Sequence, residues 1–140
     1  MKIRPFELAD ETAVISLWDR CGLLRPWNDP KKDIRRKMAV CPEQFLVGVE
    51  GDVVVAAVMV GYDGHRGWIY YLAVSPDHQR QELGRAIVAE AEHLLRGLGC
   101  PKINLQVRSS NASVIEFYRK IGFVEDDVLS MGKRLEQDEP

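Results

Sequence analysis

The segment from Trp68 to Leu98 constrains the fold more than any other. Trp68 to Val74 reads WIYYLAV, apolar enough for a central strand buried on both faces. Ser75-Pro76-Asp77 closes it. The longest helix is then expected over about 83–98, where Leu83, Ile87, Ala91, Leu94, Leu95 and Leu98 form one apolar stripe and Gly97 and Gly99 punctuate the end. A strand covered on both faces that leads into an amphipathic helix belongs in a layered domain of sheet and helices.

The rest of the chain supplies the other layers. Residues 2–6 read as a short strand. After Asp10, Val14, Leu17, Trp18 and Cys21 recur at helical steps, and Gly22 can end that helix in a left-handed cap. LLRPWNDP, 23–30, holds two prolines and an Asn-Asp pair and reads as a loop, with Asn28 or Asp29 capping the next helix. That helix, near 31–40, carries Lys31, Lys32, Arg35, Arg36 and Lys37, which read either as a solvated surface or as a binding face; Pro42 stops it. Strands over 45–49 and 53–60 flank a hairpin loop at Glu50-Gly51-Asp52, and GYDGHRG, 61–67, is a second turn.

Ile103, Leu105 and Val107 alternate with Asn104, Gln106 and Arg108, so 102–108 is expected as a strand. Asn111 suits the N-cap of a helix carrying Val114, Ile115, Tyr118 and Ile121. Phe123 to Leu135 should add one or two final strands, and the acidic end, Glu136 to Glu139, should fray. The sum is one domain over 1–140, of the α/β (α+β) class, with a mixed central sheet of six to seven strands flanked by about four helices.

Composition removes whole function classes. Lys plus Arg is 19 and Asp plus Glu 21, a net charge of −2. With a pI near 5.9, the chain lacks the basic balance of a dedicated nucleic-acid binder. Cys21, Cys41 and Cys100 are widely spaced, as free thiols in a reducing cytoplasm would be. His65, His78 and His93 lack metal-ligand spacing, so no metal is expected. The N-terminus has no apolar signal region, and no apolar run approaches the roughly 20 residues that span a bilayer, so no membrane partner is expected.

The chemistry concentrates in LAVSPDHQRQELGRAIV, residues 72–88: a buried strand, a polar loop, then a long helix. A helix N-terminus offers unpaired backbone N–H groups and a partial positive charge, so it receives phosphates readily. The loop adds His78, Arg80 and Arg85. A polar loop with capping residues is the plainer reading of the same residues.

This arrangement resembles the GNAT superfamily of acetyl-CoA-dependent N-acyltransferases. Their pyrophosphate loop runs Gln or Arg, two residues, Gly, one residue, then Gly or Ala, between a central strand and the long helix. The matching positions here are Gln79, Glu82 and Gly84. LQVRSSNASVIEFYRKIGF, 105–123, resembles the family's second strand-loop-helix. LLRPWNDP, GYDGHRG and VLSMGKRL resemble the YpeA-type group of bacterial acetyltransferases.

The resemblance implies a sheet splayed in its middle, with a V-shaped slot between the strand ending at Val74 and the strand at 102–108. It implies that Leu72, Ala73 and Val74 line the pantetheine arm of acetyl-CoA. Gln79, Arg80, Gln81, Glu82, Leu83, Gly84 and Arg85 would surround the phosphates. Asn111 and Tyr118 would also contact the co-substrate, and Tyr118 occupies the general-acid position. No metal is implied.

The family's Gly is replaced at Glu82. If the backbone needs positive φ there, a non-Gly residue costs about 1 kcal/mol or more. A carboxylate about 5 Å from a phosphate costs roughly 1–3 kcal/mol more. Together these weaken binding on the order of 10- to 1000-fold. Two features could offset the cost: an acid suits the first helical turn, and Glu82 could pair with Arg85.

The general base is open. In the related ribosomal-protein alanine acetyltransferases a Glu serves on the strand matching 102–108, where this chain has Gln106. Asp63, His65, Tyr70 and Tyr71 are the other candidates; strict alternation puts Tyr70 and Tyr71 on opposite faces. On the acceptor side, LLRPWNDP would cover the amine. Arg25 could bind a carboxylate, Trp27 could stack on a ring or plug the core, Asn28 could orient the amine, and Tyr71 could line the slot. That set favours a small zwitterion over a long peptide.

The expected activity is acetyl transfer from acetyl-CoA to a primary amine of a small molecule or peptide, by direct attack. The alternative is a catalytically silent acyl-CoA-binding or protein-interaction module on the same fold. A homodimer is compatible with the sequence.

Overall fold

The computed structural model describes residues 1–138 and, for residues 79–81, the backbone alone. The described chain runs β1 (Lys2–Pro5), α1 (Glu11–Arg20), α2 (Pro30–Ala39), β2 (Phe45–Glu50), β3 (Val53–Tyr62), β4 (Gly67–Val74), α3 (Leu83–Gly97), β5 (Ile103–Leu105) and α4 (Ala112–Lys120). The strands lie side by side in chain order. The first three junctions are antiparallel, and β4 pairs with β5 in parallel.

Period-two patterning sorts the side chains into two cores. Phe45, Val47, Ala57, Met59 and Ala73 face α1 and α2, around Val14, Leu17, Trp18 and Ile34. Leu46, Ala56, Val58, Val60 and Ile69 face α3, around Ile87, Val88, Ala91 and Leu95. Leu95 is 1% exposed; truncating such a residue to Ala typically costs about 2–5 kcal/mol. Helix ends follow local chemistry. Gly22, at φ +70°, takes the left-handed turn after α1. The Asp29 carboxylate caps α2 by accepting from the Lys31 and Lys32 amides. Asn111 precedes α4 but its side chain makes no cap bond.

Two features of β4 shape the site. Ala57 and Met59 of β3 oppose Ala73 and Tyr70, so Val58 faces both Tyr71 and Leu72. Tyr71 absorbs this bulge at φ +52°. The extra residue breaks alternation. Ile69 and Leu72 both pack on the α3 side, while Tyr71 joins the α1 core. The expected opposite placement of Tyr70 and Tyr71 on a regular strand is therefore replaced by a bulge. At its other end β4 is tightly closed: a Cβ on Gly67 would lie 2.8 Å from Cys100 Sγ and 2.9 Å from Leu95 Cδ1.

Among the described residues the sheet has five strands, not six to seven. The strand expected over 102–108 is laddered only at Ile103–Leu105, because pairing with β4 stops at Ile69 opposite Leu105. No strand forms among the described residues after Phe123. Glu125-Asp126-Asp127 interrupts the apolar pattern with residues of low strand propensity. The segment instead meets β5 through side chains: Asp126 accepts from Lys102 at 3.0 Å and from Asn104 at 2.8 Å, and Gln106 donates to Ser130. The acidic end does not fray as expected. Asp138 is buried at 6% exposure, and Glu139 lies outside the described residues. No described helix is long and apolar enough to cross a membrane.

Candidate active site

Beyond the Ile69–Leu105 pair, β4 and the chain after β5 separate. Tyr70 to Val74 runs on from that fork toward a 3-10 turn, Pro76–Gln81, which delivers the chain to α3. The turn is tied down from the α1 side: Arg20 donates to Ser75 Oγ at 3.3 Å, the Cys21 thiol to the Val74 carbonyl at 3.2 Å, and the Ser75 amide to Val55 at 2.7 Å. Burial pushes the Cys21 thiol pKa up, which keeps it from acting as a thiolate.

Glu82 stands at φ +58°, so the condition under which a non-Gly residue costs energy there is met, and it precedes α3 without capping it. Its side chain is exposed and makes no ion pair with Arg85 among the described residues. Gly84 has a different role. A Cβ there would sit 3.2 Å from Phe117 Cζ and 3.5 Å from Val74 Cγ2. Its bareness lets α3 close on α4 and the end of β4. The side chains of Gln79, Arg80 and Gln81 lie outside the described residues. His78 Nδ1 is buried with no hydrogen-bond partner among the described residues.

Tyr118 on α4 is 7% exposed. Its ring meets the edges of Phe117 and Phe123 at 5.2 and 5.4 Å. Burial alone pushes its phenol well above the ordinary tyrosine value. The hydroxyl therefore stays protonated through the neutral range. It faces the cleft between β5, α4 and the chain after Phe123, as do Val107 and Gln106.

The candidates for a base separate by position. Asp63 is a turn-former: it accepts from the His65 and Arg66 amides at 2.8 Å, and these bonds hold its carboxyl below the usual range. Both Asp63 and His65 are exposed in the β3–β4 turn, about 13 Å up the strand from Tyr71 at roughly 3.3 Å per residue. Tyr70 stacks on Trp68 at 6.1 Å. Tyr71 lies flat on Trp18 at 4.0 Å, and its hydroxyl donates to Asp33 Oδ2 at 2.7 Å. Burial and the Asp33 carboxylate both raise its pKa.

The acceptor-side residues meet across a long sequence distance. Trp27 is 45% exposed, so it does not plug the core; Arg108 lies 5.6 Å over its ring. Asn28 Oδ1 accepts from Arg134 at 2.5 Å. A cavity of about 660 Å³ opens between Trp27, Asn28, Arg36, Gln106 and Arg134. Arg25, the expected carboxylate binder, is turned away: its guanidinium donates to the Gly22 and Leu24 carbonyls at 2.8 and 2.9 Å and stiffens the loop. The cations lining the cavity are instead Arg36, Lys133 and Arg134. The basic face of α2 is mixed: Lys31, Lys32 and Arg35 are exposed, Lys37 reaches the Val60 carbonyl, and Arg36 turns to the cavity. Asp33 was not among the residues expected here, although its i, i+3 spacing to Arg36 was visible.

Residues 11–123 match the acetyltransferase (GNAT) family. The chain belongs to that family. It is 49% identical over 140 residues to an acetyltransferase of Sodalis glossinidius, covering 99% of both chains. It is 48% identical over 138 residues to one of Pectobacterium atrosepticum, covering 99% of this chain and 98% of the relative. Among solved structures it is similar to the ribosomal-protein-S18-alanine N-acetyltransferase of Escherichia coli, with 25% identity and a TM-score of 0.75 over 89% of this chain and 78% of that one.

As a GNAT protein the chain is an acyltransferase, and the family's co-substrate is acetyl-CoA. The residues present fit that group. The first turn of α3 carries no side-chain cap from Glu82, as a helix start that can offer amides to an anion requires, and in the turn before it His78 Nδ1 is a buried polar atom with no partner among the described residues. Among the described residues, Glu82, with a carboxylate at a strained position, is the one poor fit.

Proposed function

We propose that this acyltransferase acetylates a primary amine of a small molecule or peptide by direct attack. The observation that carries the reading is the fork in the sheet: β4 leaves β5 after Ile69 and leads straight to the N-terminus of α3. Leu72, Ala73 and Val74 would line the acyl-bearing arm of acetyl-CoA. The backbone amides of Glu82 to Arg85, with Gln79, Arg80, Gln81 and His78, would receive its phosphates. Asn111 and Tyr118 would flank the thioester end. When bound, acetyl-CoA supplies an acyl group on a good leaving thiolate.

The chain's own contribution is geometry and one proton. The slot wall offers strand backbone N–H groups to negative charge developing on the carbonyl oxygen. The Tyr118 hydroxyl holds a proton for the departing thiolate. From a phenol near pKa 10 to a thiol near 8.5 that transfer is uphill by about 2 kcal/mol; an apolar wall raises the thiol as well as the phenol, which keeps the gap modest. Gln106 cannot take the amine's proton. It fits an acceptor that enters neutral, or one that releases its proton to water.

The test is calorimetry of acetyl-CoA with the native protein, followed by turnover of an amine panel by native protein and Tyr118→Phe. Micromolar binding and a kcat lowered about 10²-fold or more by Tyr118→Phe, with unchanged acetyl-CoA affinity, are expected. Because burial raises the Tyr118 pKa, the phenol adds no basic limb to the pH profile below about pH 10. Covalent radiolabel left on the protein by labelled acetyl-CoA would contradict direct attack.

A further inference from the structure

Arg36, which lines the cavity beside Trp27, already holds a buried carboxylate from the same chain. Asp138 Oδ1 lies 2.7 Å from Arg36 Nη2, and its Oδ2 accepts from Arg36 Nη1 at 3.2 Å and from the Asp29 amide at 2.9 Å. Arg134 Nη1 stands 4.0 Å from Oδ1. The Asp138 side chain is only 1% exposed. Two guanidinium nitrogens and a backbone N–H converging on one carboxylate make a shaped receptor for that group. The charges agree: Arg36 holds the Asp138 carboxyl well below the usual range, and Asp138 raises Arg36 in turn.

The rest of the cluster has a second polarity. Asp33 Oδ1 lies 3.2 Å from Arg36 Nη1, and its other oxygen accepts from Tyr71 on β4. A carboxylate and a guanidinium in contact, beside the bulge of the slot strand, match an ammonium and a carboxylate carried on one carbon. Trp27 leaves a partly exposed ring surface at the cavity. The occupant is held on a weak segment. No strand ladders the described residues after Phe123, and Val124, Val128, Leu129, Met131 and Leu135 are 78–92% exposed. A segment with so few buried contacts opens at low free-energy cost.

We propose that Arg36, the Asp29 amide and Asp33 form an acceptor subsite for a free α-amino acid, and that Asp138 occupies its carboxylate seat as a built-in competitor. Asp138 blocks the seat until a ligand carboxylate displaces it. The inference rests on the acetyl-transfer reading only for what happens next; binding at the seat stands by itself. A tethered competitor acts at an effective concentration in the millimolar range, so its removal raises apparent affinity by about 10-fold or more.

The experiment titrates L-phenylalanine and L-phenylalaninamide into native protein, Asp138→Ala and Asp138→Asn, following heat. The amide keeps the amine and ring and loses the negative charge. The expected result is about 10-fold or more tighter binding of L-phenylalanine to both variants than to native protein, with no such gain for the amide. Adding Arg36→Ala to Asp138→Ala should abolish the gain. Equal binding of acid and amide, an acid affinity unmoved in both variants, or no binding of the acid to any of them overturns the proposal. Acetyl-CoA titrated into the same proteins separates the two readings. Acetyl-CoA binding without the amino-acid effect removes the seat and leaves the transferase reading. The amino-acid effect without acetyl-CoA binding does the reverse.

Discussion

Two places in this molecule are suited to hold negative charge, and they are built from different materials. At the start of α3 the proposed donors are backbone amides, in a turn that runs directly from β4. Glu82, which stands where the family pattern has Gly, would set a carboxylate beside a bound phosphate. At Arg36 the donors are a guanidinium and one amide, and the anion they hold comes from 102 residues further along the chain. A backbone-built site is fixed by the fold and gains from removing a side chain. A side-chain site can be occupied, competed for and emptied.

That contrast can be broken by substitution. The largest effect is expected from Glu82→Gly, which relieves the φ +58° strain and removes a carboxylate. The strain is the same with and without ligand, so the charge alone counts, and acetyl-CoA affinity should rise on the order of 10- to 100-fold by calorimetry. No change would mean that Glu82 turns fully outward and that the α3 site is insensitive to its charge. Next comes Arg36→Ala. Acetyl-CoA affinity should stay within about two-fold, while amide exchange at residues 134–138 accelerates by about 10-fold or more as the tail loses its anchor. An equal loss at both places would mean that they are one coupled site.

Acid provides a sharper form of the same test. The Asp138 pKa is lowered in the folded state, so its contribution is present above the unfolded value of about 3.9 and is lost as pH falls through the folded value. The tail should therefore remain docked at pH 5 and release only below about pH 4, visible as exchange at 134–138. The smallest effect is expected from Tyr71→Phe, which removes the bond to Asp33 but keeps the stack on Trp18. About 0.5–1.5 kcal/mol of stability should be lost in denaturant melts. A much larger loss would show that the hydroxyl anchors the bulge itself.

Local pattern was enough for most of the elements. The α3 stripe, the Gly22 cap and a cap for α2 at Asn28 or Asp29 all depend on residues within one or two turns of each other, so spacing displays them. The same holds for the β4–turn–α3 unit that carries the family resemblance. Where the reading failed, the cause lay at long range. The bulge at Tyr71 arises from register against β3 and from the pull of Trp18. Gln106 to Arg108 leave the sheet because β4 has already diverged. The final strands are absent from the described residues, where the chain is bound by side chains of Lys102, Asn104 and Gln106 in place of a ladder.

The sequence by itself determined the layered α/β class and the approximate helix boundaries, because periodicity and capping are short-range and every residue carries its own preference. Only the tertiary structure decided which of the two loop-and-helix arginines faces the cavity beside Trp27. Arg25 and Arg36 are equivalent as residue types. Arg25 is spent on its own loop, while Arg36 meets Asp33, the Asp29 amide and Asp138. No spacing rule links Asp138 to Arg36. They meet because the sheet and α2 set where the returning chain can pass, and a buried carboxylate is stable only where donors already converge.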